Sequence, residues 1–202
     1  VRELGWREFS HHLLFHYPAT TDVPMYPKYA AFPWRDPADY ADDLAALTVV
    51  QLPGLSTAQM AALTTDQTKK GLTTDQVGAL TTAQVSSLTT DQVSKGLTTD
   101  QTVALTTAQV SNLSTSNVAA LTSAQVKVLS SSQLQSLSST QINALDAADV
   151  TAMGTDQIAA LSTAQISNLS NANIEALGTA QVAALTSSQV SALTTNQLAV
   201  VS

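Results

Sequence analysis

Residues 105–112 read Leu-Thr-Thr-Ala-Gln-Val-Ser-Asn, and this phrase recurs with variations from Leu55 to Val200. There are 18 successive units, numbered here from unit 1 at Leu55 to unit 18 at Leu193. Sixteen have eight residues; the two others, residues 63–71 and 88–96, have nine and end in Gly. Position one is Leu or Met, and position two is Ser, Thr, Asp or Gly. Position five is Gln in all but three units, and position six is aliphatic or Met in all but two.

This period fits neither a continuous helix nor a strand with one buried face. In a helix of about 100° per residue, position one would drift by about 80° per unit and spiral around the axis. In a strand, positions one and six would lie on opposite faces. The chain must therefore change direction once in every unit.

The residue types predict how each unit begins. Ser or Thr at position two and Gln at position five have the spacing of a capping box, in which each side chain bonds the other residue's backbone amide. Positions one and six have the spacing of a hydrophobic staple. Asp at position four suits the positive end of a helix dipole. These aspartates are Asp66, Asp75, Asp91, Asp100 and Asp156.

We therefore predict a mainly α fold, a short-helix octad-repeat solenoid over residues 55–202, preceded by a small helical fragment. Each helix of about six residues would be roughly 9 Å long, too short to be stable alone in water. Stacked near neighbours would bury positions one, six and eight in a narrow core. A β-solenoid, which Thr and Val favour, and a disordered low-complexity tract are the alternatives.

The composition changes sharply where the repeat begins. All nine aromatic residues lie at or before Tyr40, all His at or before His16, and all Arg at or before Arg35. We divide the chain into residues 1–45, a linker at residues 46–54 with a Pro-Gly turn, and the repeat at residues 55–202. Both ends of the sequence are expected to be those of a fragment.

The charge and the cysteine content limit the partners. The net charge of −7 argues against general binding to nucleic acid or to anionic membranes. The chain has no Cys, so it has no disulfide and no thiolate metal site. No apolar run reaches the length of about 18 residues that a transmembrane helix needs. We expect no membrane partner, and the repeat does not indicate a compartment.

The first 45 residues predict two helices, one over residues 1–17 that ends at Pro18 and one that begins at Asp36-Pro37. The segment resembles the FAD-binding helical domain of DNA photolyases and cryptochromes. The resemblance rests on Glu3-Leu-Gly-Trp-Arg-Glu-Phe9, His11-His12-Leu-Leu, Tyr17-Pro18 and Phe32-Pro-Trp-Arg-Asp36.

The resemblance implies a DNA-facing role for three residues. Glu3 and Trp6 would face the pyrimidine dimer, with Trp6 stacked on the damaged base, and Arg7 would lie in the same DNA- and flavin-facing region. It also implies FAD, light-driven repair of damaged DNA and a cytoplasmic location. The segments that complete the flavin pocket in the family do not follow residue 45 here. Because a pocket for FAD needs walls from several segments, we expect no bound cofactor.

No other pattern predicts chemistry. His12 and His16 have the spacing of a helical metal pair, but no third ligand is identifiable, so we expect no metal site. The repeat contains no His, Cys, Arg or aromatic residue, and its hydroxyls therefore lack an activating base. We predict no catalytic residue. The leading interpretation is a non-catalytic structural or protein-interaction module; the alternative is a truncated, FAD-dependent DNA photolyase.

Overall fold

The computed structural model describes residues 44, 45 and 47–201. The chain divides into two compact units, residues 1–40 and residues 41–202, and the described residues belong to the second. The first predicted front helix, the histidines and the site residues Glu3, Trp6 and Arg7 lie outside the described residues. Of the second predicted front helix only residues 44 and 45 are described, and both are helical.

Short helices follow one another along the whole repeat, as the octad predicts. No strand occurs between residues 47 and 201, so the β-solenoid alternative is wrong. A 3-10 helix spans Leu52–Gly54 and a π-helix spans Gln92–Gly96. The α-helices span Thr57–Ala62, Thr65–Gly71, Thr74–Ala79, Thr82–Ser86, Thr99–Ala104, Thr107–Ser111, Thr115–Ala119, Ser123–Val128, Ser131–Ser136, Ser139–Ile142, Ala147–Ala152, Thr155–Ala160, Thr163–Asn168, Asn171–Glu175, Thr179–Ala183, Ser187–Ala192 and Thr195–Leu198.

Two extended residues change the chain direction between one helix and the next. Between units 9 and 10, Leu129 has φ −61° and ψ 135°, and Ser130 has φ −69° and ψ 157°. No described residue has a positive φ, so the direction changes without the left-handed conformation that favours glycine. An ordinary Leu-Ser or Leu-Thr pair is therefore enough to restart the helix in each unit.

The predicted capping boxes are present. In unit 7, the Gln109 amide donates to Thr106 Oγ1 at 3.2 Å, and Gln109 Oε1 accepts from the Thr106 amide at 2.7 Å. Gly154 has no hydroxyl, yet its amide still donates to Gln157 Oε1 at 2.7 Å. Each helix thus satisfies amides that its short length would otherwise leave unpaired.

Helices that pack together lie three units apart. The helix of unit 9 packs on that of unit 12, and the helix of unit 7 packs on that of unit 10. Because every unit changes the chain direction, the chain returns to the same side after three to four units. The repeat is therefore a solenoid, called the coil below, whose successive turns pack on each other. The octad predicted packing between near neighbours, and the structure shows that these neighbours are three units apart.

The core consists of positions one and six. Most position-six side chains are fully buried, and most position-one leucines are buried as well. Thr68 and Thr102 replace the aliphatic residue at position six, and their hydroxyls donate to Thr64 O at 3.0 Å and Thr98 O at 2.8 Å. Position eight, predicted to be in the core, is mostly half-buried at its rim, as at Ala120 and Ala144.

Residues 47–54, which lie in the predicted linker, pack like a further unit of the coil. The Thr48 amide donates to Gln51 Oε1 at 2.9 Å, as in a capping box. Leu52 is fully buried, and its carbonyl accepts from Gln84 Nε2 at 2.8 Å. The pattern Leu47-Thr48-x-x-Gln51-Leu52 carries positions one, two, five and six of the repeat, which explains this packing.

The two nine-residue units, 2 and 5, are packed against each other. The helix of unit 2 has seven residues, Thr65–Gly71, and unit 5 contains the π-helix Gln92–Gly96. A Cβ atom added at Gly96 would lie 3.0 Å from Thr68 Cβ, so the two helices approach closely. The extra glycine of unit 5 thus lies against the helix of unit 2.

Candidate functional site

The glutamine at position five bonds to an earlier turn of the coil as well as to its own N-cap. Gln109 is 2% exposed, and its Nε2 donates to Val77 O at 2.9 Å and to Leu80 O at 2.7 Å. These carbonyls belong to position six of unit 3 and position one of unit 4. One side chain thus caps its own helix and donates hydrogen bonds to the backbone of two earlier units.

The same arrangement recurs along the coil, and we call these residues the glutamine row. In every member, Oε1 accepts from an N-cap amide and Nε2 donates to backbone carbonyls about 30 residues earlier, which is between three and four units. The members are Gln76, Gln84, Gln92, Gln101, Gln109, Gln125, Gln133, Gln141, Gln157, Gln165, Gln181, Gln189 and Gln197.

Sequence reasoning predicted only the capping half of this role. The sequence nevertheless carries a signal for the other half, because no unit has Glu at position five. Glu completes a capping box as well as Gln does, and its charge suits a helix N-terminus. A carboxylate has no N–H to donate, however, so the use of amides in every unit except that of Asp149 indicates that a donor is needed.

Three units have a residue other than Gln at position five. Asn117 and Asn173 are shorter, and the Nδ2 of each donates to a single carbonyl at 2.9 Å, Leu88 O and Leu145 O respectively. In unit 12, Asp149 is 3% exposed and its Oδ1 accepts from Ser123 Oγ at 2.8 Å. Burial raises the pKa of Asp149; the hydrogen bond from Ser123 opposes this change and the charge of Asp146 adds to it.

The interior of the coil has no unused polar side chain. Every buried side-chain nitrogen or oxygen atom among the described residues has a hydrogen-bond partner. The buried amides are therefore committed to the backbone, and a ligand would have to displace those bonds. What remains for contact with other molecules is the outer surface.

The outer surface is made mainly of small side chains with few charges. Position four is exposed in every unit and carries Ala, Ser, Thr, Asn or Asp. Four of the five predicted aspartates lie in the first turn of their helices: Asp66, Asp75, Asp100 and Asp156. The pairs Lys70–Asp66 and Lys95–Asp91, at 3.5 and 2.7 Å, are solvent-exposed and contribute little to stability.

One shallow groove runs across units 9, 10 and 13. It is lined by Lys127, Ser131, Gly154 and Asp156, among others. Gly154 stands at the N-cap position and lacks the hydroxyl that most units have there. The described part of the chain contains no group of three or more His, Cys, Asp or Glu side chains that could hold a metal ion. None of its helices is long and apolar enough to cross a membrane.

Comparison with known proteins gives two separate kinds of match. A family model described as ALTTAQ repeat matches residues 41–69, 110–147, 128–163, 139–171 and 163–195, together more than half of the chain. A 36-residue stretch is 50% and 47% identical to the deoxyribodipyrimidine photo-lyases of two strains of Thermus thermophilus. It covers 18% of this chain and 9% of either photo-lyase. No solved structure matches the chain.

These findings confirm the resemblance to a photolyase fragment. The chain spans less than a tenth of the length of the photo-lyases that it matches. The predicted roles of Glu3, Trp6 and Arg7 stay predictions.

Proposed function

The chain belongs to the ALTTAQ repeat family, and on that basis we propose that its repeat is a non-catalytic structural module that binds a protein partner. The observation that supports this proposal best is the division between interior and surface. The buried side-chain amides all bond to the backbone of the coil, as Gln109 illustrates. They are therefore not free to bind a partner. The exposed positions form a long, weakly charged surface made of repeated small side chains.

The charge distribution favours a protein over nucleic acid as the partner. Between residues 105 and 201 the charged residues are Lys127, Asp146, Asp149, Asp156 and Glu175, four acidic and one basic. Binding to a phosphate backbone depends on clusters of Lys and Arg, which this surface does not offer. Contacts by exposed Ser, Thr and Ala side chains suit the neutral surface of another protein.

Charge insertion on the exposed surface tests the proposal. The full chain, tagged and purified from its own host, should retain a protein that is cross-linked to the repeat. A first variant carries Lys at position four of units 7, 8 and 9, by Ala108→Lys, Ser116→Lys and Ala124→Lys. It should retain less of the partner protein if these units contact the partner. A matched set in units 15, 16 and 17, at Ala172, Ala180 and Ser188, reports on a different region. If neither set reduces retention, or if no protein is retained, the proposal is wrong.

A truncated photolyase is the second candidate function, and the 50% identity over 36 residues favours it. Under this proposal the chain would bind FAD and damaged DNA and would repair pyrimidine dimers in light. Trp6 would stack on the flipped base, and Glu3 and Arg7 would contact the DNA beside it. A cytoplasmic location would follow from the same resemblance.

Flavin binding separates the two candidates. The full chain would be incubated with FAD, freed of unbound FAD and examined for the visible absorption of a bound flavin. Repair of an irradiated oligonucleotide in light would be measured with the chain, with Trp6→Ala and with the control Trp34→Ala. The leading proposal predicts no bound flavin and no repair. Bound flavin with repair that is lost in Trp6→Ala alone would establish the photolyase instead.

A further inference from the structure

The glutamine row is interrupted by a carboxyl group at unit 12. By the register of the other units, position five of unit 12 should bond to Val118 O and Leu121 O. Asp149 stands there instead, and no side chain of the described residues donates to Leu121 O. In the flanking units the equivalent carbonyls, Leu113 O and Leu129 O, accept from Gln141 and Gln157 at 2.6 Å.

An ionised Asp149 can only accept hydrogen bonds. Its Oδ1 accepts from Ser123 Oγ at 2.8 Å, and its Oδ2 lies 3.4 Å from the Asp146 amide nitrogen. The side chain is 3% exposed, so water solvates the charge poorly. When Asp149 is ionised, a buried negative charge thus occupies the place from which other units donate to the backbone of the previous turn.

Two other units show how far a side chain of this length reaches. Asn117 and Asn173 stand at position five, and Asn has the same shape as Asp. Their Nδ2 atoms lie 2.9 Å from Leu88 O and Leu145 O, the carbonyls that correspond to Leu121 O. A protonated carboxyl group at Asp149 would therefore bring an O–H donor within hydrogen-bonding distance of Leu121 O.

We propose that unit 12 is a pH-sensitive joint of the coil, in which proton uptake by Asp149 supplies the missing donor to Leu121 O and tightens unit 12 against unit 9. Loss of that proton restores an acceptor-only side chain, and the contact between the two turns loosens. The joint is local, because the flanking units keep their amide donors.

The charged groups around the joint are few. Asp146 lies on the same unit and faces Asp149 across the capping box. Of the two helices that pack on the helix of unit 12, Ser123–Val128 carries Lys127 and Asn171–Glu175 carries Glu175, both exposed. Neither of these charged side chains forms a salt bridge among the described residues.

The direction of the pH dependence follows from burial, which raises the pKa of Asp149 in the folded protein. In the unfolded chain an aspartate has a pKa of about 3.9. Below that value both states are protonated, and the joint keeps its full stability. Stability falls as the pH rises from there through the raised folded pKa, and it stays low above it.

Thermal unfolding of the full chain and of Asp149→Asn tests the joint. It is measured from a pH below the unfolded aspartate pKa of about 3.9 up to neutral pH. The amide donates at every pH, as in Asn117 and Asn173, and all other titrating groups are common to both proteins. We expect the two Tm values to be nearly equal at acid pH, and the variant to be increasingly more stable as the pH rises. A Tm difference that does not change with pH, or a less stable variant at neutral pH, would overturn the proposal.

Two further variants separate ionisation from packing. Ser123→Ala removes the hydroxyl that donates to the carboxylate, so its Tm should fall further than that of the wild type between acid and neutral pH. In the double variant with Asp149→Asn this extra pH dependence should vanish. Asp156→Asn, which removes an exposed carboxyl group of the next unit, should keep the wild-type pH dependence. Loss of that dependence in Asp156→Asn would assign the effect to another group.

Discussion

Gln109 accepts a hydrogen bond from the N-cap of its own helix and donates to the backbone of an earlier turn of the coil. A net hydrogen bond contributes only about 1 kcal/mol, but a buried group left without its partner costs about 1–3 kcal/mol. The position therefore tolerates neither an apolar residue nor a carboxylate without loss. Unit 12 is the one unit that has a carboxyl group at this position, and there Ser123 donates to Asp149 in compensation.

Gln109→Glu tests the donor role without changing the size of the side chain. The carboxylate can still accept from the Thr106 amide, but it would place a buried charge opposite Val77 O and Leu80 O. We expect a loss of roughly 3 kcal/mol in the free energy of unfolding at neutral pH, and a smaller loss at acid pH, where Glu is protonated. Denaturant unfolding at both pH values measures it.

Ala108→Glu is the matched control for this change. It introduces the same charge one residue earlier, at an exposed position of the same helix. Its effect should stay within about 0.5 kcal/mol, because surface substitutions are usually close to neutral. Equal losses in Ala108→Glu and Gln109→Glu would show that the charge itself, not the lost donor, destabilises the coil.

Each helix depends on its cap, because a helix of four to seven residues is too short to persist alone. Replacing the caps Thr73, Thr81 and Thr89 by Ala should cost about 1 kcal/mol at each site. The hydroxyls of these residues accept from the amides of Gln76, Gln84 and Gln92 at 3.2 Å. Denaturant unfolding of the single and triple variants gives the measurement.

The neighbouring threonines provide the comparison for the caps. Thr74, Thr82 and Thr90 stand one residue later, inside the helices, where Ala has the higher helix propensity. Their replacement by Ala should be neutral or slightly stabilising. If the cap variants behave like these controls, the hydroxyls do not cap the helices.

The helices of units 2 and 5 pack on each other, so we expect the effects of their extra glycines, Gly71 and Gly96, to be coupled. Deletion of Gly71 alone, or of Gly96 alone, shortens one helix of a packed pair and should destabilise the coil. Deletion of both restores two matched octads, so the combined loss should be at least about 1 kcal/mol smaller than the sum of the single losses. Strictly additive losses would show that the two insertions are independent.

The sequence could predict the elements but not their packing. Cap hydroxyls and aliphatic positions fixed where each helix begins and which side it buries. The octad spacing does not determine the angle between successive helices, so the packing of unit 9 on unit 12 could not be predicted. The Pro53-Gly54 turn led us to predict a linker at residues 46–54. Leu47 and Gln51 nevertheless match positions one and five of the repeat. The role of Gln in joining turns could have been found from the absence of Glu at position five.

The whole repeat should tolerate loss of the front segment, because its contacts are limited to neighbouring turns. A chain that begins at Leu47 keeps the partners of Gln84, which are Leu52 O and Leu55 O at 2.8 and 2.7 Å. A chain that begins at Leu55 loses the first of these. We expect both fragments to be helical by circular dichroism, and the shorter one to unfold at a lower denaturant concentration. Loss of the helical spectrum in the fragment that begins at Leu47 would show that residues 1–46 are essential for folding.

Hydrogen exchange of the glutamine side-chain amides, followed by NMR in the full chain, tests whether the glutamine row joins the turns of the coil. The Nε2 protons of buried members such as Gln109 and Gln189 should exchange much more slowly than those of the exposed Gln51. Protection should also be lost together with the backbone amides of the same turn as denaturant is added. Exchange of the buried glutamine amides at the rate of an unfolded chain would show that the glutamine row does not join the turns.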